Sequence, residues 1–184
     1  MNDNPSVSCD NRRMREIKHS ALVAQPPRRL FDLINDIDSY PSFIPWCTRA
    51  RVLSRSDREI VATIGVQRGP LQSEFTTRNE LEPDRRILMH LVDGPFKMLE
   101  GEWLLTPIAQ PALKSPTADG GVDANPATVS EGTGCRVQLT MKFAFKNPLT
   151  AVLFEQKFAE TASSLMDAFV ARARALPPMT DLTT

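Results

Sequence analysis

The stretch from residue 147 to about 175 limits the possible folds most. It contains no internal proline or glycine, and Phe154, Phe158, Ala162, Leu165 and Phe169 recur in it at three- and four-residue spacing. That spacing predicts one amphipathic helix, started at Asn147-Pro148, ended by Pro177-Pro178 and about twice the average helix length. So long an apolar stripe needs an equally long partner surface. The segment just before it offers one: Cys135, Val137, Leu139, Met141, Phe143 and Phe145 alternate with Arg136, Gln138, Thr140, Lys142 and Ala144. One face of that strand is wholly apolar and the other mostly polar.

Upstream segments repeat the strand pattern. Strands are expected over 14–23, 50–56, 59–66, 73–81, 86–92 and 98–106, besides 135–145. Phe75, Thr77, Asn79 and Leu81 share one face of the fourth. Turns fall at Ser56-Asp57-Arg58, Gln67-Arg68-Gly69-Pro70, Glu82-Pro83-Asp84 and Asp93-Gly94-Pro95-Phe96. Between the first two strands, Leu30, Phe31 and Ile34 predict a short helix over 27–35. Residues 36–47 hold Tyr40, Phe43, Trp46 and Ile44 among Pro41 and Pro45, which suits a short helix or turn with an apolar face. The expected fold class is α+β: a curved antiparallel β-sheet wrapped around a long C-terminal helix.

The chain of 184 residues is long enough for one domain with a sizeable core. Residues 1–13 read as a disordered leader, 14–176 as the domain, and 177–184 as a tail. Within the domain, 107–134 is rich in Pro, Ala, Gly, Ser and Thr and reads as a flexible insertion. Lys and Arg total 22 and Asp and Glu total 22, so general affinity for polyanions is not expected, although a local basic cluster remains open. No signal-peptide core or membrane-spanning stretch is visible, which predicts a cytoplasmic protein with peripheral membrane contact still open. Cys9, Cys47 and Cys135 are widely spaced and fit reduced thiols. No metal-ligand spacing and no glycine-rich phosphate loop occur.

Several blocks together resemble a known family. They are His19-Ser20, the run from Phe31 to Ile37, Tyr40-Pro41, Phe43-Ile44-Pro45-Trp46-Cys47, Phe75-Thr76-Thr77-Arg78, Asp93-Gly94-Pro95-Phe96, Leu99-Glu100-Gly101 with Trp103, and Ala168-Phe169 with Arg172. The chain resembles the coenzyme Q-binding START-like family, which overlaps the ribosome-association toxin (RatA) family and the polyketide cyclase and lipid-transport superfamily. The resemblance implies a START-like helix-grip fold with a tunnel between sheet and helix. It implies ubiquinone or a similar lipid as a bound ligand in some members, and the large ribosomal subunit as partner in others. The insertion and the polar loop from Val66 to Leu71 depart from the family pattern.

The aromatic-proline block of Tyr40, Phe43, Pro45 and Trp46 is a candidate cavity rim, or alternatively a cap on the core. Phe96, after the Gly94-Pro95 turn, is a candidate second lip, or alternatively one buried phenylalanine beside a plain turn. Phe31, Phe75, Thr77, Trp103, Met141, Phe143, Phe158, Leu165 and Phe169 are candidate walls, equally at home in a solid core. Arg49, Arg51 and Arg55 share a parity and are a candidate basic stripe for phosphates, or alternatively part of a solvated sheet face. His19 and His90 have no neighbouring partner motif, and no catalytic residue, metal or cofactor is expected. The leading expectation is therefore a non-catalytic binder of a hydrophobic isoprenoid lipid, above all ubiquinone, supporting respiratory electron transport. The alternatives are a toxin that binds the large ribosomal subunit and blocks subunit joining, and a polyketide aromatase/cyclase.

Overall fold

A computed structural model describes residues 14–69, 71–108 and 134–176. Seven strands alternate with two helices in chain order: β1 (Arg15–Val23), α1 (Pro27–Asn35), a 3-10 segment (Ile37–Ser42), β2 (Cys47–Arg55), β3 (Glu59–Arg68), β4 (Leu71–Glu82), β5 (Arg86–Asp93), β6 (Phe96–Ile108), β7 (Gly134–Phe145) and α2 (Pro148–Arg174). The strands form one antiparallel sheet in the order β1-β7-β6-β5-β4-β3-β2. Irregular register between Cys47 and Arg49, Val52 and Ser54, Thr76 and Thr77, and Phe96 and Met98 bends the strands there. The curved sheet holds α2 against its concave face, where the helix meets β1, β7 and β4. This is the expected helix-grip architecture.

Both helices start as their sequences dictate. Pro26 and Pro27 open α1, whose Leu30, Leu33 and Ile34 are buried. Asn147 caps α2: its side-chain oxygen accepts the Leu149 N–H at 2.8 Å, and Pro148 needs no such partner. Arg172 and Arg174 lie in the last turn, where positive charge complements the exposed carbonyl ends. The buried stripe of α2 runs through Ala151, Phe158, Ala162, Leu165, Phe169 and Ala173. At its far end the Gln25 side chain donates to the Ala173 carbonyl at 3.3 Å, fastening the β1–α1 connection to the helix.

The turn between β5 and β6 requires glycine. Gly94 has φ of +140°, and a Cβ there would lie 2.6 Å from the Phe75 Cβ. Several elements extend past their expected limits. The β6–β7 ladder includes Pro107 with Cys135 and Ile108 with Gly134, so both ends of the expected insertion are strand. The rest of that insertion, the leader and the tail lie outside the described residues.

Candidate functional site

The core divides into two apolar clusters, and a cavity lies between them. One cluster gathers α1, the 3-10 segment and the C-terminal half of α2 around Trp103, Leu139 and Phe169. The other is aromatic: Phe96 and Phe143 lie 4.8 and 4.7 Å from Phe158, centroid to centroid, and Phe75 stacks edge-on against Phe96 at 5.5 Å. The cavity between them measures about 60 Å³, counted as the space open to the centre of a water molecule. That is room for about four waters or a small ring.

Its walls come from opposite layers. The strands contribute Ile64, Val66, Phe75, Met89, Leu99 and Trp103, all on inward-facing positions of the register. The helix contributes Phe158, Thr161, Ala162 and Leu165, at helical spacing. Gly101 thins the sheet at this point. A Cβ on it would fall 2.2 Å from the Met89 Cε, so the Met89 thioether occupies the space that glycine leaves.

Few polar groups face the cavity, and most have partners. The Tyr40 hydroxyl donates to the Ile34 carbonyl, and its burial raises the phenol pKa far above the usual range, so it stays protonated. The Trp46 indole N–H donates to Ser164 Oγ at 2.9 Å, and the Thr161 hydroxyl donates to the Lys157 carbonyl at 2.7 Å. Asn79 is 7% exposed, and its Oδ1 has no hydrogen-bond partner. Among the described residues, no histidine, carboxylate or thiol lines the cavity. The thiols of Cys47 and Cys135 are buried, and burial raises both pKa values, Cys135 to about 11, so neither is a ready nucleophile. His19 pairs with Leu139 on an edge strand, whereas His90 lies exposed on the outer face, 3.8 Å from Glu80. The two are not brought together.

The structure gathers Tyr40, Trp46, Phe75, Thr77, Trp103 and Met141 around the cavity, with Phe158 and Leu165 opposite. It places the other expected wall and rim residues elsewhere. Phe31 packs half-buried on the first cluster, Phe143 is sealed in the aromatic cluster, and Pro45 is exposed. Phe43 stacks edge-on against Phe169 at 5.4 Å, and the Arg172 guanidinium lies 5.8 Å from the Phe43 ring. The aromatic-proline block thus both caps the core and supplies one end of the cavity.

The structure decides between the alternatives for Phe96 and corrects the expectation for Arg55. Phe96 does not project as a lip: it is fully buried, because it opens β6 rather than closing the turn, and the register shift before Met98 turns its ring into the aromatic cluster. Arg55 does not share a stripe with Arg49 and Arg51. The bulge between Val52 and Ser54 inverts the parity, pairs Arg55 with inward-facing Ile60, and lets its guanidinium donate to the Asn35 carbonyl at 2.9 Å. All three arginines are exposed on the edge strand, but Arg55 caps α1 through this bond whereas Arg49 and Arg51 lie on the opposite face.

Sequence reasoning missed Ile37, Ile64, Val66, Asn79, Met89, Leu99, Gly101, Thr161 and Ala162 as cavity walls. Asn79 was legible in part, since it shares the inward face with Phe75 and Thr77. A polar residue within an apolar face is the available signal.

Fold and cavity define a START-like helix-grip protein. The chain belongs to the family described as polyketide cyclase / dehydrase and lipid transport, which matches residues 23–170. It is 35% identical over 161 residues to the ribosome association toxin RatA of Escherichia coli K12, covering 88% of each chain. It is 24% identical over 159 residues to the mitochondrial coenzyme Q-binding protein COQ10 homolog B of Xenopus laevis, covering 86% of this chain and 57% of that one. A START superfamily protein of Mycobacterium smegmatis shares the fold with a TM-score of 0.65 and 15% identity, covering 88% of this chain and 99% of that one. No helix among the described residues is long and apolar enough to cross a membrane.

Proposed function

We propose that this chain is a non-catalytic binding protein that takes a hydrophobic isoprenoid, a quinone of the ubiquinone type, between its sheet and its long helix. The apolar cavity walled by Phe75, Trp103, Met141, Phe158 and Leu165 carries the reading. The lipid-transport description of the family and the name of the Xenopus relative support it. Burial of apolar ligand surface drives binding, at roughly 25 cal/mol per Å² before ordering costs. A cavity of about 60 Å³ requires side chains to move for a substituted ring, and the unbranched Met89, whose methyl lies over Gly101, has the rotatable bonds to do so. Leu149 and Val152, 75% and 81% exposed on the first turns of α2, offer an apolar contact to a membrane surface that supplies the lipid. Cyclase chemistry needs a convergent acid–base pair, and the described lining residues offer none. Mass spectrometry of small molecules extracted from the purified protein tests the reading. Recovery of an isoprenoid quinone supports it. Recovery of none, with none taken up from quinone-loaded liposomes, contradicts it.

A second reading is association with the large ribosomal subunit. It is favoured by the similarity to RatA across 88% of both chains and by Arg49 and Arg51, exposed on edge strand β2. Cosedimentation with large subunits that weakens steeply with salt, and more so in the Arg49→Ala, Arg51→Ala double variant, supports it. Absence of cosedimentation at low salt removes it.

A further inference from the structure

We infer that the cavity selects ligands that carry a hydrogen-bond donor, which docks at Asn79 Oδ1, and that a quinone ligand is accordingly preferred in its reduced, dihydroxy form. This rests on the reading of the cavity as the site for a hydrophobic ligand. Asn79 lines the cavity, is 7% exposed, and holds a carbonyl oxygen with no partner. A buried acceptor without a donor is unfavourable, and a ligand that supplies the donor relieves that cost as it binds.

The neighbouring groups do not fill this role. The donors of Tyr40, Trp46 and Thr161 are engaged by protein oxygens, and the Thr77 hydroxyl, two residues away on the same strand face, makes no hydrogen bond to Asn79 Oδ1. The flanking positions on the register are apolar: Asn79 pairs with Ile60 on one side and Met89 on the other. Asn35 Oδ1 also lacks a partner, but Asn35 lies outside the cavity, with its amide nitrogen bonded to the Phe31 carbonyl at 2.9 Å. The Asn79 amide thus sets an unpaired carbonyl acceptor, beside its own NH2 donor, into a mostly apolar wall, an arrangement that gives orientation and specificity rather than bulk affinity, and only a donor on the ligand satisfies Oδ1. An oxidised quinone ring presents carbonyl and ether oxygens, which only accept. Its reduced form presents two hydroxyls, either of which donates to Oδ1 with no other change in shape.

Two matched probe pairs test the inference, followed by NMR of the indole N–H signals of Trp46 and Trp103, the two tryptophans of the chain, both of which line the cavity. The pairs are p-cresol against p-xylene, and durohydroquinone against duroquinone under anaerobic conditions. The donor-bearing member of each pair is expected to bind about tenfold more tightly, or about 1.4 kcal/mol. Asn79→Leu, close in size but without the acceptor, is expected to abolish the preference while retaining p-xylene binding. Equal affinities within both pairs in the unmodified protein overturn the inference and leave the cavity reading intact; this comparison needs no variant to fold. Binding of p-cresol over p-xylene with neither quinone form bound retains the donor preference but contradicts the quinone reading. Binding of no probe contradicts both.

Discussion

The Trp46 indole N–H donates to Ser164 Oγ across 2.9 Å, tying the turn before β2 to the middle of α2 at one end of the cavity. Ser164 Oγ in turn donates to the Thr161 carbonyl at 2.9 Å, so the serine is held for the indole. Ser164→Ala leaves a half-buried indole N–H without this acceptor, and an expected loss of about 1–2 kcal/mol appears in urea unfolding. Trp46→Phe removes the donor as well as ring volume. The double variant should therefore cost less than the two single losses combined, and strict additivity would mean that the bond contributes nothing.

The aromatic cluster carries more of the stability than the rim does. Phe96 is fully buried against Phe75, Phe143, Phe145 and Phe158, whereas Phe43 is half-buried. Phe96→Ala is expected to cost about 3–5 kcal/mol, and Phe43→Ala clearly less. Denaturant midpoints of the two variants check the order. An equal or larger loss in Phe43→Ala would contradict this account of the β5–β6 turn.

Arg49, Arg51 and Arg55 look alike in sequence and separate in the structure. Arg55→Ala removes an exposed charged donor from the last turn of α1 and is expected to cost about 0.5–1.5 kcal/mol. Arg49→Ala and Arg51→Ala change exposed groups and should stay within about 0.5 kcal/mol. Thermal unfolding of the three variants separates the roles.

The same bulge shows where sequence reading stops. Period-two alternation revealed β7, and helical spacing together with paired prolines located α1 and α2, because those signals are local. A bulge is one extra residue whose cause lies in the partner strand, so the parity of Arg55 was not legible. The place of Phe96 depended on whether the Gly94-Pro95 turn or strand β6 claimed it, and the packing of four distant phenylalanines decides that. The interior was the least legible part. Phe143 and Phe158 sit in equally apolar patterns, yet Phe158 lines the cavity and Phe143 does not, because the small Ala162 on the same helix leaves space beside Phe158.

Burial of Cys135 makes the fold sensitive to alkaline pH. Its thiol pKa rises from 9.0 to about 11 because the fully buried sulfur is poorly solvated as thiolate. A raised folded-state pKa means that the native protein holds its proton more tightly than the unfolded chain does. The associated stability, about 2–3 kcal/mol, is therefore fully present below pH about 9 and is lost as pH rises towards 11. Cys135→Val is expected to flatten the stability profile between those values. A profile that falls equally in both proteins would assign the alkaline loss to other groups.

The central claim is that ligand binds in the space between sheet and helix, and Ala162 tests it most directly. Ala162 is 3% exposed and faces the cavity from α2, so Ala162→Leu fills that space from within. The measurement is the affinity for a short-tailed ubiquinone, read by tryptophan fluorescence quenching, in the unmodified protein and in Ala162→Leu, with circular dichroism confirming that the variant is folded. The account predicts binding in the unmodified protein and a loss of at least about tenfold, or about 1.4 kcal/mol, in the variant. A folded Ala162→Leu protein that binds the quinone with unchanged affinity would contradict it.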